Sequence, residues 1–583
     1  MSNIPLNIKS VREIPHDGLA DVISETWDKY NTQRMPQINA WRELRNFIFA
    51  TDTSTTSNKS LPWKNSTTLP KLCQIRDNLH SNYISALFPN DDWLKWEAYS
   101  PNDARKQQVA AIEAYMSNKT RENHFRTEIS RLLYDYIDYG NAIGTVYFEE
   151  QYSTDSKGER TPAYIGPRVL RISPMDIVFN PLAENFAKSF KIIRSIVQFG
   201  ELVNSAETNP ENERLRKALK TRKELLNFAG TYSRDDLAKV EAFQVDGYGN
   251  FWDYLQSGYV EMLTFYGDLY DNDSQTYLTN KKITVIDRMY VIGIEDNPSW
   301  LGQAPIFHVG WRLRPDNLWA MGPLENLVGM QYRIDHLENA KADAMDLAIQ
   351  PPLVIKGEVE QFEWRPNAEI HIDENGDVQE LGRNAQWVIA AENNIDKLEM
   401  RMEQYAGAPR EAMGIRSAGE KTKFEVQQLQ NAAGRIFQEK ITTFETELLE
   451  RLLNAMLEVA KRNMDVSDWA RVFDDDLGVQ SFVKITKEDI TASGVLRPIG
   501  ARHFAAQAQM VQNLTQLSNT PVWQQIAPHV SSTEMAKLIE DVMGIGRYKL
   551  IRPNVAIMEQ QETQRMMGQA QEELSVEQSI PPM

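Results

Sequence analysis

A single cysteine, Cys73, in 583 residues leaves the chain no intrachain disulfide and suits a reducing compartment. It sits in an apolar-periodic stretch, so it reads as a buried small hydrophobe and not as a nucleophile. The eight histidines, among them His80, His124, His308, His336 and His371, are scattered with no partner at ligand spacing, which leaves no metal site and implies no cofactor. No run of about 18 uncharged apolar residues is present, so no membrane span is expected. The opening MSNIPLNIKSVREIPHDG lacks the apolar core of a signal peptide, and the expectation is a soluble, cytosolic chain. Positive charge is also short: 63 Lys and Arg face 81 Asp and Glu, for a net charge of −18 and a pI near 5.1. That balance excludes a protein gripping nucleic acid over its whole surface, but not one past which DNA slides. There is no G-x-S-x-G sequence and no Cys/His pairing to invite a hydrolase. DENGD (373–377) has its glycine too early for a calcium loop and reads as a hairpin tip; Asp474-Asp475-Asp476 reads as a solvated acidic turn.

One stretch comes close to nucleotide chemistry. GIRSAGEKTKFEV (414–426) separates Gly414 from Gly419 as a phosphate-binding loop would, but Glu420 stands where the lysine is needed, and Lys421 and Thr422 arrive one residue late. Such a loop also joins a buried strand to a helix, whereas helix and then APREAM precede this one. Thr422 and Glu425 match a capping box, in which the two side chains satisfy orphan amides at a helix start.

Apolar spacing over 18–49 predicts a helix, with Val22, Trp27, Trp41, Leu44, Phe47 and Ile48 on its buried stripe. The polar tract TDTSTTSNKS (51–60) reads as a loop with nothing to bury. Helices are expected at 69–87, 103–118 and 121–139. The period then changes to 2, and GTVYFEEQY, YIGPRVLRISPMDIVFNP, VEMLTFYGDLYD, YLTNKKITVIDRMYVIGIED and APIFHVGWRL read as strands, interrupted by a charged helix near 208–228. ITVID (283–287) is read as one of these structural strands.

From Gly322 the pattern returns to helix until Pro351 and Pro352 stop it. A β insert of about forty residues follows, with a tight turn at Asn375-Gly376. A helix resumes near 391–405, and a very long one spans 423–462, about 60 Å at the helical rise. Its stripe comprises Phe424, Leu429, Ala433, Ile436, Phe444, Leu448, Leu452, Met456 and Val459. Strand-like SFVKITKEDITASGV leads to a helical C-terminal third, at 500–518, 522–527, 532–543 and 554–574. The fold class is α+β and predominantly helical.

Two charge patterns stand out. Asp335, Asn339, Asp343 and Asp346 recur at four, four and three residues, making a mostly acidic stripe opposite the apolar one; alone it is also what a solvated helix face would show. Arg410, Arg416, Lys421 and Lys423 put four cations in a glycine-containing loop of an acidic protein, a candidate contact for phosphates.

The order of parts (helix, β insert, helix, basic loop, very long helix, helical C-terminus) resembles the portal, or head–tail connector, proteins of tailed bacteriophages, most closely those of short-tailed phages. WAMGPLENLVGMQYRIDHLENAKADA is similar to the start of that family's stem. GEKTKFEVQQLQNAAGRIFQEKITTFETELLERLL is similar to its tunnel loop and following helix, and GVLRPIGARHFAAQAQMVQNLTQL to the start of its C-terminal region. The resemblance implies a wing at 1–322, stem helices at 323–350 and 389–405, and a clip at 351–388. It further implies a tunnel loop at 406–422, a long helix returning to the wing at 423–499, and a crown at 500–583. It implies a non-enzymatic ring of about twelve copies around a central channel at one capsid vertex of the virion, assembled in the host cytoplasm. Double-stranded DNA would pass through the channel during packaging and ejection. A terminase large subunit would dock at the clip, and major capsid, scaffolding and tail adaptor proteins would be the other partners. In such a ring the acidic stripe Asp335, Asn339, Asp343 and Asp346 would line the channel and repel phosphate, while Arg410, Arg416, Lys421 and Lys423 would make transient contacts. The alternatives are another structural virion component, such as a tail adaptor or internal core protein, and an NTPase motor.

Overall fold

The computed structural model describes residues 6–8, 17–61, 64–88, 93–99, 106–154, 160–208, 212–227, 258–271, 275–297, 303–349, 353–356, 377–380, 386–407, 436–464, 467–473, 480–488, 490–491 and 493–498. The chain divides into two units, one of residues 1–85 and 94–498, the other of residues 86–93 and 499–583. In the second unit the rings of Phe88 and Trp93 meet edge to face, 4.8 Å apart. Both helix and strand are abundant, and the fold class is α+β.

The first helices of the first unit are α1 (Asp17–Gln33) and α2 (Met35–Ile48), where the apolar spacing predicts one helix over 18–49. The break falls at Arg34 because Pro36, in the first turn of α2, has no amide to continue the ladder. Arg34 is buried at this corner, donating from Nη1 to the Pro174 carbonyl at 2.7 Å and from Nη2 to the Met175 carbonyl at 2.6 Å. Residues 51–60 also differ from expectation. They form two 3-10 turns, Thr53–Thr55 and Ser57–Ser60, capped by Asp52 and Thr56, with Thr53, Thr56 and Asn58 buried. Local side-chain-to-backbone bonds let this polar tract pack where apolar counting sees only a loop.

After α3 (Lys71–Leu87), α4 (Lys106–Glu122) and α5 (Phe125–Asp138) come strands of two main sheets. Strands β3 (Asn141–Thr154) and β4 (Arg160–Ile172) form a long antiparallel ladder, with β10 (Ile306–Gly310) on the other side of β3 and the short pair β11 (Arg312–Arg314) and β12 (Asn317–Met321) after it in the chain. The larger sheet runs β5 (Ile177–Phe179), β6 (Lys191–Gln198), β7 (Tyr259–Asp271), β8 (Thr276–Ile286) and β9 (Tyr290–Asp296), with β1 (Leu6–Ile8) parallel to β7. Successive side chains on a strand face opposite ways, and here both faces are apolar. Val285 and Val291 join a core with Leu19, Ile23 and Trp27 of α1, whereas their neighbours Ile286 and Ile292 join Leu202, Leu215 and Leu219 of α6 (Phe199–Thr208) and α7 (Glu213–Asn227). Helices thus cover both sides of the meander. ITVID is the end of β8 and its turn, and Asp287 is buried in an ion pair with Arg222.

At Gly140, φ is +68°, and a Cβ there would lie 2.3 Å from the amide nitrogen of Gly322. Two backbones cross with no room for a side chain, fixing where the next helix leaves the body. That helix, α8 (Val328–Ile349), is followed by the paired strands β13 (Leu353–Lys356) and β14 (Asp377–Glu380) and by α9 (Gln386–Tyr405), which begins earlier than the periodicity suggests. The turn expected at Asn375-Gly376 lies outside the described residues. Of the span expected to form one very long helix, residues 436–463 are described; they include a π turn at Glu445–Leu449 and end with α10 (Glu450–Asn463). Leu448, Leu452 and Met456 are buried as expected, but Ile436 is exposed. Strands β15 (Ser467–Phe473) and β16 (Gln480–Thr486) pair with each other, and β17 (Gly494–Pro498) pairs with β2 (Leu94–Ala98). The expected C-terminal helices, and Asp474 to Asp476, lie outside the described residues. Among the described residues, no helix is long and apolar enough to cross a membrane.

Candidate functional site

The candidate site is the arm that α8 and α9 build around the β13–β14 pair. α9 returns alongside α8 and packs principally on it. Lys341 of α8 bridges the two, 2.7 Å from Glu338 and 2.5 Å from Glu392 of α9. The root of the arm is buried, with Ile334, Ile395, Met402 and Ala406 out of solvent. Beyond Asn339, by contrast, α8 turns progressively outward. Met345, Leu347 and Ile349 are exposed, as are Ile355 of β13 and Trp387 and Ile389 of α9.

The stripe read as channel-lining has a different local role. Asp335 and Asn339 are fully buried, Asp343 is half-buried, and Asp346 is exposed. All four side chains bind one extended segment, residues 64–69. Asp335 accepts from the Leu69 amide at 3.1 Å and the Thr68 hydroxyl at 2.9 Å. Asn339 accepts from the Thr67 amide at 2.8 Å and donates to the Thr67 carbonyl at 2.7 Å. Asp343 accepts from the amides of Lys64 and Asn65, at 3.2 and 3.1 Å, and from the Asn65 side chain at 2.7 Å. Asp346 accepts from the same Asn65 side chain at 3.0 Å. For Asp335 and Asn339 an open channel wall is therefore not what this chain presents, because a neighbouring segment of the same chain covers them.

Burial is the largest influence on Asp335 and raises its pKa; the hydrogen bonds from Leu69, Thr68 and Gln331 offset part of that. At Asp343 the slight burial also works upward, but the amides of Lys64 and Asn65 outweigh it, and its pKa lies below the ordinary carboxylate value. Gln331, one turn before Asp335, belongs to the same set: its Nε2 donates to the Leu69 carbonyl at 2.5 Å and its Oε1 accepts from the Leu72 amide at 3.3 Å. The four-residue spacing extends back to Gln331 and could have revealed it. Asn65, Thr67 and Thr68 carried no signal, since only the fold brings them to α8. Lys71, at the end of the segment, is buried against α9, 2.6 Å from Glu403 and 3.3 Å from Glu399.

Arg410, Arg416, Lys421 and Lys423, with the capping pair Thr422 and Glu425, lie outside the described residues. Cys73 was expected in the core; it is half-buried, with its Sγ 3.8 Å from Asp77 on the adjoining turn. His308 is half-buried, and His80 stacks on Tyr134 at 3.8 Å. Among the described residues no three His, Cys, Asp or Glu side chains gather to hold a metal ion. No known protein family matches the chain, and no curated protein is significantly similar to it.

Proposed function

We propose that the protein is a portal: a ring-forming, non-enzymatic conduit through which duplex DNA enters and leaves a phage capsid, and a platform for a terminase and tail adaptors. The observation that carries this reading is the arm. Two helices enclosing a small β element expose Met345, Leu347, Ile349, Ile355, Trp387 and Ile389 to solvent. These large apolar side chains, all exposed on the one arm, are the surface we read as covered by another molecule. Repetition of this chain about an axis would cover such a surface with a second copy, and copies each carrying a charge of −18 need an extensive apolar interface to offset their repulsion. Asp346, exposed on the same helix, is the stripe residue best placed to face a channel. The basic residues Arg410, Arg416, Lys421 and Lys423 are proposed as the phosphate contacts of the loop that follows α9.

The test is electron microscopy of the purified protein with its Trp387→Asp, Ile389→Asp variant. The reading expects rings with a central hole wide enough for duplex DNA, and a folded variant that no longer forms them. A wild-type protein that stays monomeric at high concentration would overturn it. Closed assemblies without such a hole would point instead to another structural virion component.

A further inference from the structure

An extended chain advances about 6.6 Å in two residues, and a helix advances about 6 Å in four. Those lengths nearly coincide, so side chains four apart on a helix can meet every second residue of a strap lying along it. Residues 64–69 use this match. Leu69, Thr67 and Asn65 fall in step with Asp335, Asn339 and Asp343, the strap running opposite to α8. At Thr67 both the amide and the carbonyl are taken by one side chain, as a neighbouring strand would take them. The strap is also tied away from the arm, where its Ser66 carbonyl accepts from the Thr53 amide at 3.0 Å. It continues directly into α3, whose Leu72, Ile75 and Leu79 are core residues. At that junction Lys71 reaches across to Glu403 and Glu399 of α9.

We propose that residues 64–71 are a latch that fastens both helices of the arm to the body and sets how far the arm can move. The fastening is almost wholly polar. Water can replace its hydrogen bonds, so the strap can lift without exposing the apolar core, and the arm then retains only its root. The latch rests on packing within one chain and holds whether or not the chain forms rings.

Hydrogen–deuterium exchange on the full-length protein tests it. Asn65→Ala with Asp343→Ala is expected to speed amide exchange about 10- to 100-fold in 64–72 and also in α9, which neither substitution touches, while β7 and β8 keep their protection. Unchanged exchange in α9 would overturn the proposal, leaving the strap a local loop with no hold on the arm. Where the double variant loses protection in β7 as well, a second measurement decides. Asn65→Cys and Asp346→Cys, in a Cys73→Ser background, are joined by a short bis-maleimide. The crosslink is expected to slow exchange in α9 at least about threefold relative to the uncrosslinked protein. No slowing would sink the latch.

Discussion

Asn339 holds Thr67 by both of its backbone groups, accepting from the amide at 2.8 Å and donating to the carbonyl at 2.7 Å. The pairing works because a carboxamide carries a donor and an acceptor side by side, as a peptide group does. Aspartate at the same position would keep the acceptor and lose the donor, setting an anion against the Thr67 carbonyl in a buried place. Asn339→Asp is expected to lower unfolding free energy by about 1–3 kcal/mol, read as a shift in the urea midpoint at constant slope. A midpoint within error of wild type would show that the clasp does not form.

The two ends of the same stripe should respond very unequally to charge reversal. Asp335 is fully buried among donors, so Asp335→Lys places a cation against amides that need an acceptor. That variant is expected to lose about 3–5 kcal/mol and to melt well below wild type. Asp346 is exposed, and Asp346→Lys should change stability by less than about 1 kcal/mol. Thermal unfolding of the two proteins side by side checks the contrast. Equal losses would mean that Asp335 is as accessible as Asp346. In a ring, Asp346→Lys is therefore the usable probe of whether this face repels DNA, with slower packaging as the expected outcome.

His308 gives the fold a pH dependence. Its Nε2 lies 3.0 Å from the side-chain oxygen of Asn141, which also accepts from the Ala320 amide, so Nε2 carries the proton and the neutral ring donates. Burial, and after it the nearby Lys191 charge, push the His308 pKa down to about 4. A depressed native pKa means that the unfolded chain takes up the proton first, so stability is full above about 6.5 and is lost as pH falls toward about 4. The loss is expected to reach about 3 kcal/mol relative to a His308→Gln variant, which cannot titrate. Denaturant unfolding of both proteins between pH 7 and pH 4 measures it; parallel curves would show that His308 charges freely in the native state.

Much of the secondary structure was legible because local patterns set it. The period-2 runs became β3 to β5 and β7 to β10, whereas β6 falls in none of them, and both faces of the larger sheet are apolar as its Val285-Ile286 and Val291-Ile292 pairs imply. The misses have particular causes. Pro36 outweighed an apolar stripe that continues across the α1–α2 break. Thr53 and Thr56 packed through hydrogen bonds, which apolar counting does not see. Cys73 lies among apolar neighbours in sequence but toward the outer side of α3 in space.

The candidate site divides in the same way. Spacing alone determined that Asp335, Asn339, Asp343 and Asp346 share one face of a helix, because helical geometry depends only on the separation of residues along the chain. What that face meets was decided only by tertiary structure. Asn65 and Thr67 lie 278 and 272 residues from their partners. A charged stripe looks the same in sequence whether water, DNA or a strap of the same chain satisfies it. Its hydrogen-bonding demand is local, but the group that answers it is chosen by the path of the folded chain.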